Sequence, residues 1–294
     1  MTNDQSDPES RRNFWRALLV LGRVSNLPTV WSNCFAGWLL GGGGSWWAFF
    51  DLNLGASLLY IGGMYLNDAV DANFDRQHRK ERPIPSGHIT VGTVWWFAIV
   101  LLVAGTVLLV PLGGTPAVFT LLLVASIVLY DVVHKWVAFS PVIMAACRFW
   151  LFLLAASIGD DGVTGYAVWC ALVLAAYIVG LSYIARRESL ASPVAAWPAY
   201  LLSMPVVLAL LINNGDARLR GIVLSLLLFS WVVHCLRHTF WSGKRNVGRT
   251  VSGLLAGIVL VDLLAIGGGS IWMGLGFFSL FALALLFQRY VPAT

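Results

Sequence analysis

Residues 65–87, YLNDAVDANFDRQHRKERPIPSG, concentrate the side chains whose types and spacing could do chemistry. Asn67, Asp71 and Asp75 fall at i, i+4 and i+8, so on a helix they stack along one face. Asp68 stands three residues before Asp71. Carboxylates crowded at a membrane helix end repel one another and resist desolvation, and a hard cation among them relieves both; such acids are functional candidates. Their oxygen ligands suit Mg²⁺, which takes one or two carboxylates together with substrate phosphates and water. Basic residues follow at once in Arg76, Arg79, Lys80 and Arg82, where they could meet the remaining negative charge of a diphosphate. The plainer alternative is a helix end meeting a solvated loop of mixed charge. The order of acids, then bases, then Pro83, Pro85 and Gly87 favours a site.

The elements that position these residues follow from composition. Of 294 residues 59% are hydrophobic and 11% charged, with mean hydropathy +0.78, against roughly 25% charged in soluble domains. Lipid must therefore solvate much of the chain, and only helices or a closed barrel satisfy the backbone there. Long apolar runs without alternation, such as 94–110 and 222–233, select helices. The expected fold class is all-α, a polytopic transmembrane helical bundle. Its spans read as 23–40, 54–73, 91–112, 116–136, 140–158, 163–185, 194–212, 219–240, 249–266 and 270–287. Residues 1–21 read as a cytoplasmic or interfacial segment with an amphipathic helix over 11–21, and 22–294 as a single transmembrane domain.

Charge placement orients the bundle. With the N-terminus inside, one set of loops holds Arg11, Arg12, Arg16, Arg23, Arg76, Arg79, Lys80, Arg82, Lys135, Arg186, Arg187, Arg237, Lys244, Arg245, Arg249 and Arg289, while the opposite loops hold Arg218 and Arg220. That bias predicts an integral protein of the cell (cytoplasmic, inner) membrane with a cytoplasmic N-terminus. Both termini fall inside with ten spans; nine result if 267–269 bends one element instead. Fourteen Trp suit membrane interfaces. The net charge of +5 lies in these loops without a long basic stripe, so no nucleic-acid partner is expected. Cys34, Cys147, Cys170 and Cys235 lie in apolar segments without CxxC spacing and read as small buried hydrophobes.

The pattern N-x-x-x-D-x-x-x-D over Asn67–Asp75, followed by Asp-Arg and by R-P-x-P-S-G over 82–87, resembles the first Asp-rich motif of the UbiA superfamily of intramembrane prenyltransferases. GRVSNLPTVWSN (22–33) and YDVVHK (130–135) sit where that family has related segments. The resemblance implies a bundle around a central cavity, where Mg²⁺ bridges a prenyl diphosphate to the motif and the prenyl tail runs toward lipid. It also implies a lipophilic or aromatic acceptor, most simply a quinone precursor. The family carries a second D-x-x-x-D after its sixth helix; here that place reads SYIARRES (182–189), with Glu188 its one acid beside Arg186 and Arg187. Either these guanidinium groups replace a second metal as diphosphate ligands, which bidentate Arg geometry allows, or the chemistry has changed.

Other candidates complete the set. Lys135 resembles the family's diphosphate-contacting lysine. Arg23 and Asn33 resemble polar positions lining its cavity. Arg148 lies inside an apolar span and needs a polar partner or an aqueous cavity; Asp262 reads as a local polar contact elsewhere. The expected metal ligands are Asn67, Asp68, Asp71 and Asp75, with Glu188. The expected diphosphate ligands are Asn67, Arg82, Lys135, Arg148, Arg186, Arg187, Arg23 and Asn33, and Asp71, Asp75 and Lys135 are the catalytic set. A transporter would use the same acids as an ion site, but they lie at a helix end and no paired broken helices occur near a midplane. A phospholipid-headgroup transferase would need a D-G-x-x-A-R pattern, which the sequence lacks.

Overall fold

In a computed structural model that describes residues 8–186, 196–215, 217–241, 245–267 and 270–293, the chain is helical and no strand occurs among the described residues. The helices are α1 (Pro8–Leu21), α2 (Leu27–Leu40), α3 (Trp46–His78), α4 (Val91–Leu109), α5 (Gly114–Val133), α6 (Ser140–Ser157), α7 (Gly165–Arg186), α8 (Trp197–Leu201), α9 (Met204–Ile212), α10 (Ala217–Phe240), α11 (Val247–Ile266) and α12 (Ile271–Phe287). Six of them, α4 to α7, α10 and α11, are long and apolar enough to cross a membrane.

Their burial orders the bundle. The apolar window of α11 is 67% buried and that of α5 only 22%, so α11 runs through the core and α5 faces lipid. Tyr177 of α7 is fully buried and donates its hydroxyl proton to the Leu254 carbonyl of α11 at 2.9 Å. Phe152, Leu228 and Phe277 fill the space around them. Outward-facing Val103, Val107, Leu121, Leu129, Val223 and Phe229 are exposed apolar side chains, as expected where the solvent is hydrocarbon.

The two ends of the bundle are tied separately. At one end the Asp160 and Asp161 amides donate to Gly43 and Gly41 carbonyls at 3.1 and 2.7 Å. A Cβ on Gly41 would lie 2.1 Å from the Ala156 carbonyl oxygen, and one on Gly159 would lie 2.2 Å from that of Gly41. The close approach of α2 to α6 thus depends on both glycines lacking a side chain. At the other end Asn26, which opens α2, donates its Nδ2 proton to the Ala293 carbonyl at 3.0 Å. The tail following α12 therefore returns to the end of the bundle where α2 begins.

Several boundaries differ from the sequence reading. α3 starts at Trp46, eight residues before the expected span, because Ser45 caps it by accepting from the Ala48 amide. Its 33 residues extend about 50 Å at 1.5 Å per residue, more than the roughly 30 Å hydrocarbon core. The last turns, with the aspartates, thus have length to emerge from lipid. The seventh span divides into α8 and α9, each with a proline in its first turn (Pro198, Pro205), since proline opens a helix readily and lacks the amide needed to continue one. The N-terminal helix reaches back to Pro8. On it Ala17, Leu18 and Leu21 are buried against Tyr65, Leu66 and Ala69 of α3, while Trp15, Arg16 and Leu19 stay exposed. The four cysteines are free; Cys34, Cys170 and Cys235 are buried and Cys147 is half-buried.

Candidate active site

The periodicity of α3 places Asn67, Asp68, Asp71 and Asp75 in the interior, and all four are buried. Three chain segments bring cations to them. The first is the loop after α3: Ile84 and Ile89 bury themselves against Leu66, Ala69 and Ala72, which folds the loop back along the helix. Arg82 Nη1 then reaches Asp68 Oδ1 at 2.9 Å and Asp75 Oδ2 at 3.0 Å.

The second segment is the end of α5 and the turn beyond it. Lys135 Nζ lies 2.6 Å from Asp71 Oδ1 and His134 Nε2 lies 3.3 Å from the same oxygen. His134 Nδ1 faces the Tyr130 and Asp131 carbonyls. Burial pulls the His134 imidazole toward its neutral form, but the hydrogen bond and charge of Asp71 outweigh it and the pKa is raised. Lys135 also stands 5.1 Å above the Phe74 ring, a favourable place for a cation.

The third segment is the α1–α2 connection. Arg23 adopts a left-handed backbone at φ 42°, the one such non-glycine residue among those described. That conformation costs on the order of 1–2 kcal/mol. It is held by the packing of α1 on α3, where Tyr65 donates to the Leu18 carbonyl at 3.0 Å. The guanidinium stands 3.6 Å from Asp68.

Asp131 is a member of this cluster that sequence reading did not single out. It is buried on α5, and its Oδ1 accepts from Asn67 Nδ2 at 3.0 Å. The signal lay in YDVVHK, where Asp131 stands four residues before Lys135 across the end of α5. His134 was missed in the same motif.

Arg148 and Asn33 bind each other rather than the acid cluster. Arg148 Nη1 donates to Asn33 Oδ1 at 2.7 Å and to the Thr29 carbonyl at 3.1 Å, and Nη2 donates to Thr29 Oγ1 at 2.9 Å. Asn33 Nδ2 in turn donates to Asp262 Oδ2 at 2.7 Å, and Ser32 Oγ donates to the same oxygen at 2.5 Å. Asp262 is thus no separate local contact, as the sequence suggested, but the accepting end of a network joining α2, α6 and α11. Arg186 Nη1 donates to the Val137 and Ala138 carbonyls at 3.1 and 2.9 Å, so it braces the α5–α6 turn. Arg187 and Glu188 lie outside the described residues.

The donor set suits a hard divalent cation. Its atoms are carboxylate and amide oxygens, and Asp75 Oδ1 and Asp131 Oδ2 are buried without a hydrogen-bond partner. Among the described residues no three His, Cys, Asp or Glu side chains are gathered closely enough to share an ion; Arg82, Lys135 and Arg23 pair with the acids. A groove at the opposite end, lined by Ala209, Leu210, Asn213, Arg218 and Ile222, contains no acid.

Known proteins resemble this chain in sequence and in fold. A family model described as the UbiA prenyltransferase family matches residues 26–293. A curated digeranylgeranylglyceryl phosphate synthase from Sulfolobus acidocaldarius is 34% identical over 120 residues, 40% of this chain and 42% of that protein. The chain therefore matches less than half the length of that relative. The apo structure of a UbiA homolog from Aeropyrum pernix K1 superposes with a TM-score of 0.65 at 13% identity, covering 83% of this chain and 97% of the other. A UbiA homolog from Archaeoglobus fulgidus bound to GPP and Mg²⁺ gives 0.64 at 18% identity, covering 91% and 99%. At these identities the likeness establishes a shared fold.

Proposed function

The chain belongs to the UbiA prenyltransferase family, and on that premise we propose that it moves a prenyl group from an allylic prenyl diphosphate to a nucleophilic acceptor within the membrane. The observation that carries this reading is the meeting of Asp68, Asp71 and Asp75 with Arg23, Arg82 and Lys135 at one end of the bundle. Acids for a divalent cation beside bases for a diphosphate are what ionisation of an allylic C–O bond needs. The fold relatives bound to GPP or DMAPP with Mg²⁺ support both the donor class and the metal.

Asn67, Asp68, Asp71 and Asp75 would hold Mg²⁺, with Glu188 assigned by its place in the chain. Bound there, the ion would offset diphosphate charge and improve the leaving group. Arg82 and Lys135 exchange their carboxylates for diphosphate oxygens, to which guanidinium and ammonium donate charge-assisted hydrogen bonds. Arg23 adds positive charge beside Asp68. Arg186 and Arg187 are assigned as diphosphate ligands by their place in the chain, for which Arg186 would have to leave the Val137 and Ala138 carbonyls, and Arg148 and Asn33 are assigned to the interior deeper in the bundle. The apolar walls keep water from the allylic cation until the acceptor captures it and releases a proton.

The acceptor is assigned as an aromatic, quinone-precursor nucleophile. The partial match to a digeranylgeranylglyceryl phosphate synthase favours a second reading, in which a glyceryl phosphate hydroxyl attacks. Purified protein supplied with geranyl diphosphate and Mg²⁺ should release pyrophosphate only when an acceptor is present. Running both acceptor classes in parallel decides between them, and no release with either one rejects the transfer reaction.

The topology is assigned as ten crossings with α8 and α9 together forming the seventh, the N-terminus cytoplasmic and the site at the inner face of the cell membrane. The Asn26–Ala293 hydrogen bond supports an even number. A single cysteine placed at Gln77 should be labelled from the cytoplasmic side and one at Gly42 from the opposite side. Labelling of Gln77 from outside would invert the assignment.

A further inference from the structure

Asn67 can ligate a cation only through Oδ1, so the orientation of its amide decides whether it serves the site. Asn67 Nδ2 donates to Asp131 Oδ1 at 3.0 Å, which turns the NH₂ group of the amide toward α5. Asn67 Oδ1 accepts no hydrogen bond from a described residue. The helical repeat puts the Asn67 side chain on the face shared with Asp71 and Asp75.

Asp131 is set apart from the other acids of the site. It comes from a different helix, and the ion pairs that engage Asp68, Asp71 and Asp75 do not include it. It is 3% exposed, and its Oδ2 is buried without a partner. A carboxylate kept at that depth for a single hydrogen bond is costly, and stability alone does not account for it.

We propose that Asp131 is a positioning residue: it holds the Asn67 amide so that Oδ1 faces the cation bound by the α3 aspartates, making α5 the second wall of the metal site. This rests on the metal-dependent reading given above. The consequence is a distinction between losing the hydrogen-bond acceptor and losing the charge. Asp131→Asn keeps an oxygen that accepts from Asn67 Nδ2, whereas Asp131→Leu removes it and lets the amide turn.

The test is Mn²⁺ binding by the full-length protein in detergent, followed by electron paramagnetic resonance with a non-hydrolysable geranyl diphosphate analogue present. Asp131→Leu should weaken Mn²⁺ affinity about tenfold, the scale of losing a group that orients a metal ligand, while Asp131→Asn stays within about threefold of the unmutated chain. Asn67→Ala should weaken affinity as much as Asp131→Leu, and the double variant Asn67→Ala/Asp131→Leu should be no weaker than Asn67→Ala alone, because the two act through one ligand. Unchanged affinity in Asp131→Leu overturns the proposal, and so does additive loss in the double variant. Equal loss in Asp131→Asn and Asp131→Leu would also overturn it, by showing that charge rather than orientation matters. An unmutated chain that binds no Mn²⁺ would reject the metal-dependent function itself, a result separable from all of these.

Discussion

Asp71→Ala and Asp75→Ala should each lower prenyl transfer by on the order of 10²–10³-fold, the rate equivalent of several kcal/mol of charge stabilisation. Each variant should still insert into the membrane. The expectation comes from what the two carboxylates hold. Asp71 collects Lys135 and His134 on one oxygen, and Asp75 shares Arg82 with Asp68. On the proposed reading, a bound cation would lose a ligand without either acid, and the basic groups would lose the partner that places them where a diphosphate would bind. The cost to folding should be small, because Lys135, His134 and Arg82 all retain some exposure. Glu81→Ala is the matched control: it removes an exposed acid from the neighbouring loop and should leave turnover unchanged. Wild-type rates of labelled prenyl transfer in either aspartate variant would remove that residue from the site.

Asp262→Ala should instead act on stability, by about 3 kcal/mol, the range seen when one member of a buried ionic network is removed. The substitution strands the Asn33 amide, leaves the Ser32 hydroxyl only the Thr29 carbonyl, and takes away the acid that ends the Arg148–Asn33 chain. A buried unsatisfied donor is costly on its own. The variant should therefore melt several degrees lower in detergent. Asp262→Asn should fall between the two, since it keeps an acceptor and loses the charge. The double variant Arg148→Met/Asp262→Leu should be more stable than the sum of its single effects, because both ends of the network are then apolar. An unchanged melting midpoint in Asp262→Ala would show that the network does not support the bundle.

The sequence alone determined the solvent, the helical class and the acids of the motif. Those properties are local: an apolar run of sufficient length must be a helix in lipid, and spacing by four puts Asn67, Asp71 and Asp75 on one face of α3 wherever that helix lies. Helix ends were less legible. A serine cap extends α3 back to Trp46, and prolines divide 197–212, where local capping chemistry overrides hydropathy. Only the tertiary structure decided which cations reach which acids. Arg82 reaches Asp68 because Ile84 and Ile89 anchor a folded-back loop. Asn67 meets Asp131 across 64 residues and Asn33 meets Asp262 across 229. Periodicity describes one helix at a time and says nothing about the rotation of its neighbour. The interlocking of α2, α3, α5, α6 and α11 therefore set the partners of Asn67, Asn33 and Arg148. The same packing turned Arg186 onto the carbonyls of Val137 and Ala138, a bond that no motif announces.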